Sequence, residues 1–114
     1  MELLTIAKHA VEAAKNKKAK RMVLMDLNKQ SDMCQFQFVC SGENNIHTKA
    51  IAREIDDVLR VEHGIKPVRV EGKGSGHWIL LDYSGVLVHV FFDYIRDYYA
   101  IESIWPEAKI LDLP

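Results

Sequence analysis

The side chains of this 114-residue sequence that could bind a metal, move a proton or attack a substrate are few and scattered. The histidines are His9, His47, His63, His77 and His89. No two stand at HxH or HxxxH spacing, so no strand or helical turn delivers a pair to a metal. The two cysteines, Cys34 and Cys40, form no CxxC motif, which disfavours a zinc site. Ser41, Ser75, Ser84 and Ser103 lack the GxSxG setting of an activated hydroxyl. Asp26, Asp82 and Asp93 each end a strand-like run. Two of them converging would hold a cation, but no Asp-x-Asp pair stands in the chain, and turns and caps account for them. The run Gly72, Lys73, Gly74, Ser75, Gly76 looks superficially like a phosphate loop, yet it lacks the eight-residue Walker pattern and precedes a strand, so it reads as a flexible turn. His89 stands inside an apolar strand, on the face of Leu87 and Phe91, where a polar ring must find a hydrogen bond. A core or edge histidine bonded to a carboxylate or carbonyl fits that position better than a proton-transfer group without a nucleophile. The expectation is a protein that is not an enzyme and carries no metal or cofactor.

The hydrophobic periodicity supplies the scaffold. Leu3, Ala7, Ala10, Val11 and Ala14 recur at helical spacing, so residues 2–18 read as a helix closed by lysines. Residues 22–27 read as a buried strand, 28–32 as a polar turn and 36–40 as a second strand. Ser41 and Gly42 stop that strand, and Asn44 or Asn45 caps the next helix. Its apolar stripe is Ile51, Ile55, Val58 and Leu59, and His63-Gly64 ends it. Residues 67–71 form a short strand. Residues 78–83 and 86–92, joined by Ser84-Gly85, form a hairpin. Asp93 caps a last helix containing Ile95, Tyr98, Tyr99 and Ile101, ended by Pro106. The apolar tail 110–113 either joins a sheet edge or stays loose. The order αββαβββα implies an α+β (α/β mixed) single domain over residues 1–114, a mixed β-sheet flanked by helices.

Composition agrees: 48% hydrophobic and 27% charged residues suit a globular domain and not a disordered one. The formal charge of −1 gives no overall field toward nucleic acid or membrane. Only Lys15, Lys17, Lys18, Lys20 and Arg21 break the evenness. They read as a solvated helix end, with contact to a phosphate backbone as the alternative. Cys34 and Cys40, at even separation along an extended segment, would share one face about 20 Å apart, beyond disulfide reach. Free thiols suit a reducing compartment. No apolar run approaches a membrane span, and Lys8, His9 and Glu12 interrupt any secretory signal, so a cytoplasmic location without a membrane partner is expected.

Both tryptophans and all four tyrosines stand between Trp78 and Trp105. Aromatic residues build cores and also anchor interfaces. On the first hairpin strand, Trp78, Leu80 and Asp82 alternate with Ile79, Leu81 and Tyr83, so both faces are rather apolar. One must pack on helices. The other is either covered in turn or left as a patch for a partner.

The ordered series Val70-Glu-Gly72, Trp78-Ile-Leu-Leu-Asp-Tyr83, Val88-His-Val-Phe91, Arg96, Tyr99, Ile101-Glu102 and Ile104-Trp105 resembles the signature of the ribosomal silencing factor family, also called RsfS or Iojap-like. Upstream, Leu24, Asp26, Ser31, the stretch from Val39 to Gly42, and Ala50-Ile51-Ala52 resemble further family segments, so the likeness covers residues ~2–105, nearly the whole chain. The family usually has Asp where Gln35 stands and Gly-Asp where Ser84-Gly85 stands. Glu43-Asn44 and Ile46-His47 replace its Asn-Ser and Arg-Gln. The resemblance implies a nucleotidyltransferase-like fold without paired metal-binding carboxylates. It implies binding to the large ribosomal subunit at ribosomal protein L-fourteen, which blocks joining of the small subunit and represses translation, and a link to ribosome biogenesis. The expected contacts are Trp78, Leu80 and Tyr83 as anchors, Asp82 and Glu102 toward basic ribosomal side chains, and His89 and Tyr99 beside them. No sequence-specific nucleic-acid binding is expected. A homodimer through the same surface, and a nucleotide-binding or nucleotidyltransferase-type enzyme, are the alternatives.

Overall fold

The computed structural model describes residues 1–27, 29–32 and 34–114. Along the chain lie α1 (Leu3–Asn16), β1 (Lys20–Asp26), β2 (Phe36–Gly42) and α2 (Asn45–Asp57), which runs on through a π-helical turn at Val58–Glu62. Then follow β3 (Arg69–Glu71), β4 (Trp78–Asp82), β5 (Val86–Phe92), α3 (Asp93–Tyr99), a 3-10 turn at Ile101–Ser103, and β6 (Lys109–Leu111). The six strands form one sheet in the order β3-β4-β5-β2-β1-β6. Strands β2 and β5 pair in parallel and the other neighbours are antiparallel, as the mixture of a helical crossover and a hairpin requires. The tail resolves its two options by joining the edge, with Leu111 opposite Leu24. No helix among the described residues is long and apolar enough to cross a membrane.

The sheet buries two faces because its central strands are apolar on both. Every residue of β2 is buried. On one face Phe36, Phe38 and Cys40 join Val86, Val88, Val90, Ile79 and Leu81 beneath α1 and α2. The alanines at 7, 10, 13 and 14 let α1 lie close to that layer. On the other face Val39 and Phe91 meet Ile101, while Met25, Leu27, Cys34 and Leu87 meet Trp105 and Ala108. The segment from α3 to β6 therefore covers part of the second face.

Three expectations need correction. The last helix ends at Ala100 and not at Pro106. Ala100 takes the left-handed conformation (φ 45°), which turns Ile101 back onto the sheet. Phe92, and not Asp93, occupies that helix's cap position, without a side-chain bond. Cys34 and Cys40 lie on opposite faces, because the backbone N–H groups of Gln35 and Phe36 both donate to the Gly85 carbonyl (2.8 and 3.1 Å) and strand alternation starts only there. Elsewhere Asn44 is the cap chosen for α2, its Oδ1 accepting from the His47 N–H at 2.8 Å. Of the turn expected at 28–32, Asn28 lies outside the described residues. Among the positions that depart from the family pattern, Glu43 pairs with Lys20 at 2.6 Å, and the His47 ring bridges the Glu43 N–H (2.9 Å) and the Lys17 carbonyl (2.6 Å).

The covering segment is held by one cation. Arg96 is 1% exposed, and its guanidinium donates to both carboxylate oxygens of Glu102 (3.1 and 2.9 Å), to Ser41 Oγ (2.9 Å) and to the Arg21 carbonyl. That carbonyl is available because β1 bulges at Arg21, where φ is +50° and the register shifts. The same bulge sends the Arg21 side chain to Asp93 and Asp97 at 2.8 and 2.7 Å. Removing one partner of a buried ion pair costs more than the pair gains, since the other charge stays desolvated. Glu102→Ala is expected to lose ~3 kcal/mol in urea unfolding, with Arg96→Met/Glu102→Leu recovering part of it.

Candidate partner-binding surface

The sheet register decides which aromatics share a face. Trp78 stands opposite Phe91, Leu80 opposite His89, and Asp82 opposite Leu87. Trp78 is half-buried between Phe91 and Tyr99, with ring centroids 4.9 and 4.8 Å away. Its indole N–H donates to His89 Nδ1 at 3.0 Å. An indole nitrogen only donates, so Nδ1 is bare, and Nε2 carries the proton toward Gln37 Oε1 at 3.2 Å. The Gln37 amide then points at Met25 Sδ, 3.7 Å away. A chain of polar contacts thus runs from the surface indole into the sheet.

The expected site residues separate into two groups. Trp78, Leu80, Asp82, Tyr99 and Glu102 stand on the second face with part of their surface open to solvent, Tyr99 being 47% exposed. Tyr83 points the other way, into the core under α1 and α2, and is 4% exposed. Burial pushes its phenol well above its ordinary range, and its hydroxyl has no hydrogen-bond partner. His89 is 6% exposed and both its ring nitrogens are taken, so it supports Trp78 from beneath. Neither Tyr83 nor His89 presents a contact surface. Alternation already separates Tyr83 from Trp78 in the sequence; the burial of His89 depends on Gln37, on the neighbouring strand β2 but 52 residues away in the chain, which no local pattern discloses.

The carboxylates are also committed inside the chain. Asp82 accepts from the Ser84 N–H at 2.9 Å and faces Arg69 at 3.5 Å, while Glu102 holds Arg96. Glu71, which sequence reasoning left out, lies opposite Leu80 on β3 and lines a shallow depression of ~340 Å³ with Gly72, Trp78 and Leu80. The surface is therefore a strip of Trp78, Leu80 and Tyr99 edged by Glu71, Asp82 and Glu102. Asp82 and Asp93 stand at opposite ends of the hairpin and do not converge. Among the described residues no three of His, Cys, Asp and Glu gather where a metal ion would sit.

The sequence model described as "Ribosomal silencing factor during starvation" matches residues 1–114. A protein named ribosomal silencing factor RsfS from Chromobacterium violaceum is 38% identical over 109 residues, 96% of this chain and 88% of that one. One of the same name from Bacillus subtilis is 34% identical over 113 residues, 99% of this chain and 95% of that one. A crystal structure from Chromobacterium violaceum superposes with a TM-score of 0.89 at 38% identity, covering 96% of this chain and 90% of the other.

Burial lowers the His89 pKa from 6.5 to about 4, outweighing the Glu102 charge, which works in the opposite direction. The unfolded chain takes up this proton near pH 6.5, and the folded one resists it until about pH 4. The contribution is therefore full above pH 6.5 and disappears as pH falls toward 4. Urea midpoints are expected to fall over that window by the equivalent of ~3 kcal/mol, less in His89→Gln. The His89 ring resonances are expected to titrate near pH 4 in NMR; a midpoint near 6.5 would contradict the burial argument.

Proposed function

The chain belongs to the ribosomal silencing factor family, and on that premise we propose that it docks on the large ribosomal subunit through ribosomal protein L-fourteen and blocks joining of the small subunit. The observation that carries this reading is the half-buried Trp78, held in place by Phe91, His89 and Tyr99 and flanked by Leu80 on an otherwise sealed sheet face. Aromatic side chains already fixed by their neighbours lose little freedom on binding, which makes them efficient anchors. At its edge Glu102 is neutralised by Arg96, while Glu71 and Asp82 share the one cation of Arg69, which leaves a net negative charge that suits a basic ribosomal protein and contributes orientation and encounter rate more than affinity. Blocking by occupancy uses no bond-making step, so the protein acts as a regulator and not as an enzyme. Its place of action is the cytoplasm, where subunits join, and binding to free large subunits also links it to ribosome biogenesis.

The test is cosedimentation with purified large subunits, paired with light scattering of subunit joining. Trp78→Ala and Leu80→Asp are each expected to weaken binding tenfold or more and to restore joining, with the circular dichroism spectrum of the parent retained. A folded Leu80→Asp protein that binds as tightly as the parent would sink the assignment of this strip.

A further inference from the structure

The 72–76 loop has no part in the docking strip apart from its first residue, yet it is built with care. Gly72 has φ +86°, and a Cβ there would lie 1.9 Å from the Trp78 carbonyl oxygen, so the loop closes directly against the start of β4. Its far end is tied to α2. Thr48 is fully buried, and its hydroxyl donates to the Gly76 carbonyl at 2.6 Å. A Cβ on Gly76 would stand 3.1 Å from Lys49 Cε, so the Lys49 stem already lies along the loop.

This arrangement brings three cations around one small cleft. The cleft measures about 150 Å³ and is lined by Lys49, Ala52, Arg53, Asp56, Lys73 and Ile79. Lys49 and Arg53 are one helical turn apart, a like-charge spacing that weakens a helix unless something compensates it. Lys73 reaches the cleft from the loop. Asp56 does not neutralise them, because Arg60 holds it at 3.0 Å. Among the described residues the three cations form no ion pair. In the basic run at 15–21 three of the five cations are engaged: Lys20 is paired with Glu43, Arg21 with Asp93 and Asp97, and Lys15 bonds the Pro114 carbonyl, while Lys17 and Lys18 form no ion pair among the described residues.

We propose that the cleft between α2 and the 72–76 loop, ringed by Lys49, Arg53 and Lys73, takes a phosphate of an RNA backbone. The cleft is too small for a protein segment and large enough for a phosphate group. The Arg53 fork suits two phosphate oxygens and the lysines supply point charges for the rest. The choice of RNA rests on the proposed docking to an RNA-rich particle. Backbone contacts carry no sequence information, so a local cluster of cations suffices for them without a groove-reading element. The loop leads straight into Trp78, so a phosphate held here would orient the strip against its protein partner.

The deciding experiment titrates the isotope-labelled protein with short oligouridylate, with ATP and with inorganic phosphate, and measures large-subunit binding across salt concentrations. Oligouridylate is expected to shift the amide signals of Lys49, Arg53 and Gly74, and the Lys49→Gln/Arg53→Gln/Lys73→Gln variant is expected to abolish that shift. The variant is also expected to bind large subunits about tenfold more weakly at 0.1 M salt. Its salt slope should flatten by about 0.7 for each RNA phosphate that the variant no longer neutralises, with affinity for isolated ribosomal protein L-fourteen unchanged. Unchanged subunit affinity and slope would overturn the proposal. So would a shift with ATP or phosphate but none with oligouridylate, which would assign the cleft to a free anion. A loss of affinity for isolated L-fourteen would place the cations against protein and overturn it as well. If the parent binds no subunits at all, the docking reading fails, and the oligouridylate titration still decides the cleft.

Discussion

The second face of the sheet depends on the desolvated guanidinium of Arg96. A cation at 1% exposure is tolerable only if its donors are satisfied, and the chain supplies acceptors from three separate places: Glu102 in the nearby 3-10 turn, Ser41 at the end of β2, and the Arg21 carbonyl at the β1 bulge. Two of these acceptors are placed by a local irregularity. Ala100 in the left-handed region swings Glu102 back, and Arg21 at φ +50° exposes its carbonyl. The cation therefore fixes where the segment after β5 lies, and with it how much of the sheet remains open.

What remains open is the strip around Trp78, and its rigidity follows from the same seal. Ile101 closes over Phe91 and Val39, Phe91 backs Trp78, and Tyr99 closes the ring from the side. Beneath, a neutral His89 accepts the indole N–H and donates its own to Gln37. A charged imidazole would have no acceptor role for the indole, so burial of the ring and placement of Trp78 are one requirement. The proposed docking would benefit from this, because ordering costs on binding are small when the anchor is already held.

The fold was legible in the sequence where one period dominated: the alanine stripe of α1, the Asn44 cap, the hairpin at Ser84-Gly85 and the mixed sheet. It failed where long-range partners override local signals. Pro106 looked like the helix stop, but Ala100 breaks the helix earlier so that Glu102 can reach Arg96. Even spacing placed Cys34 with Cys40, but the shared Gly85 carbonyl shifts the strand's start; burial then drives the Cys40 thiol up to about 12. At the site, Tyr83 stands with Trp78 and Leu80 among the expected anchors although alternation puts it on the opposite, buried face, and the satisfaction of His89 by Gln37 and of Glu102 by Arg96 are contacts across strands and turns that no spacing encodes.

Charge shows the same division between local and assembled signals. The conspicuous basic run at 15–21 ends largely in intramolecular bonds, because the β1 bulge and the start of α3 place Asp93, Asp97 and Glu43 within its reach. Lys49, Arg53 and Lys73 are inconspicuous in sequence, and only the Thr48 tether between α2 and the 72–76 loop assembles them. That loop begins at Gly72, where any side chain would collide with the Trp78 carbonyl, and its two ends are thus fixed to the apolar strip and to the basic cleft. An apolar anchor supplies affinity and a cation cluster supplies orientation and salt-sensitive encounter. Joined by a short glycine-bearing segment, the two have a fixed separation, which under the proposed docking would let a small protein select one orientation on a large particle without reading any sequence.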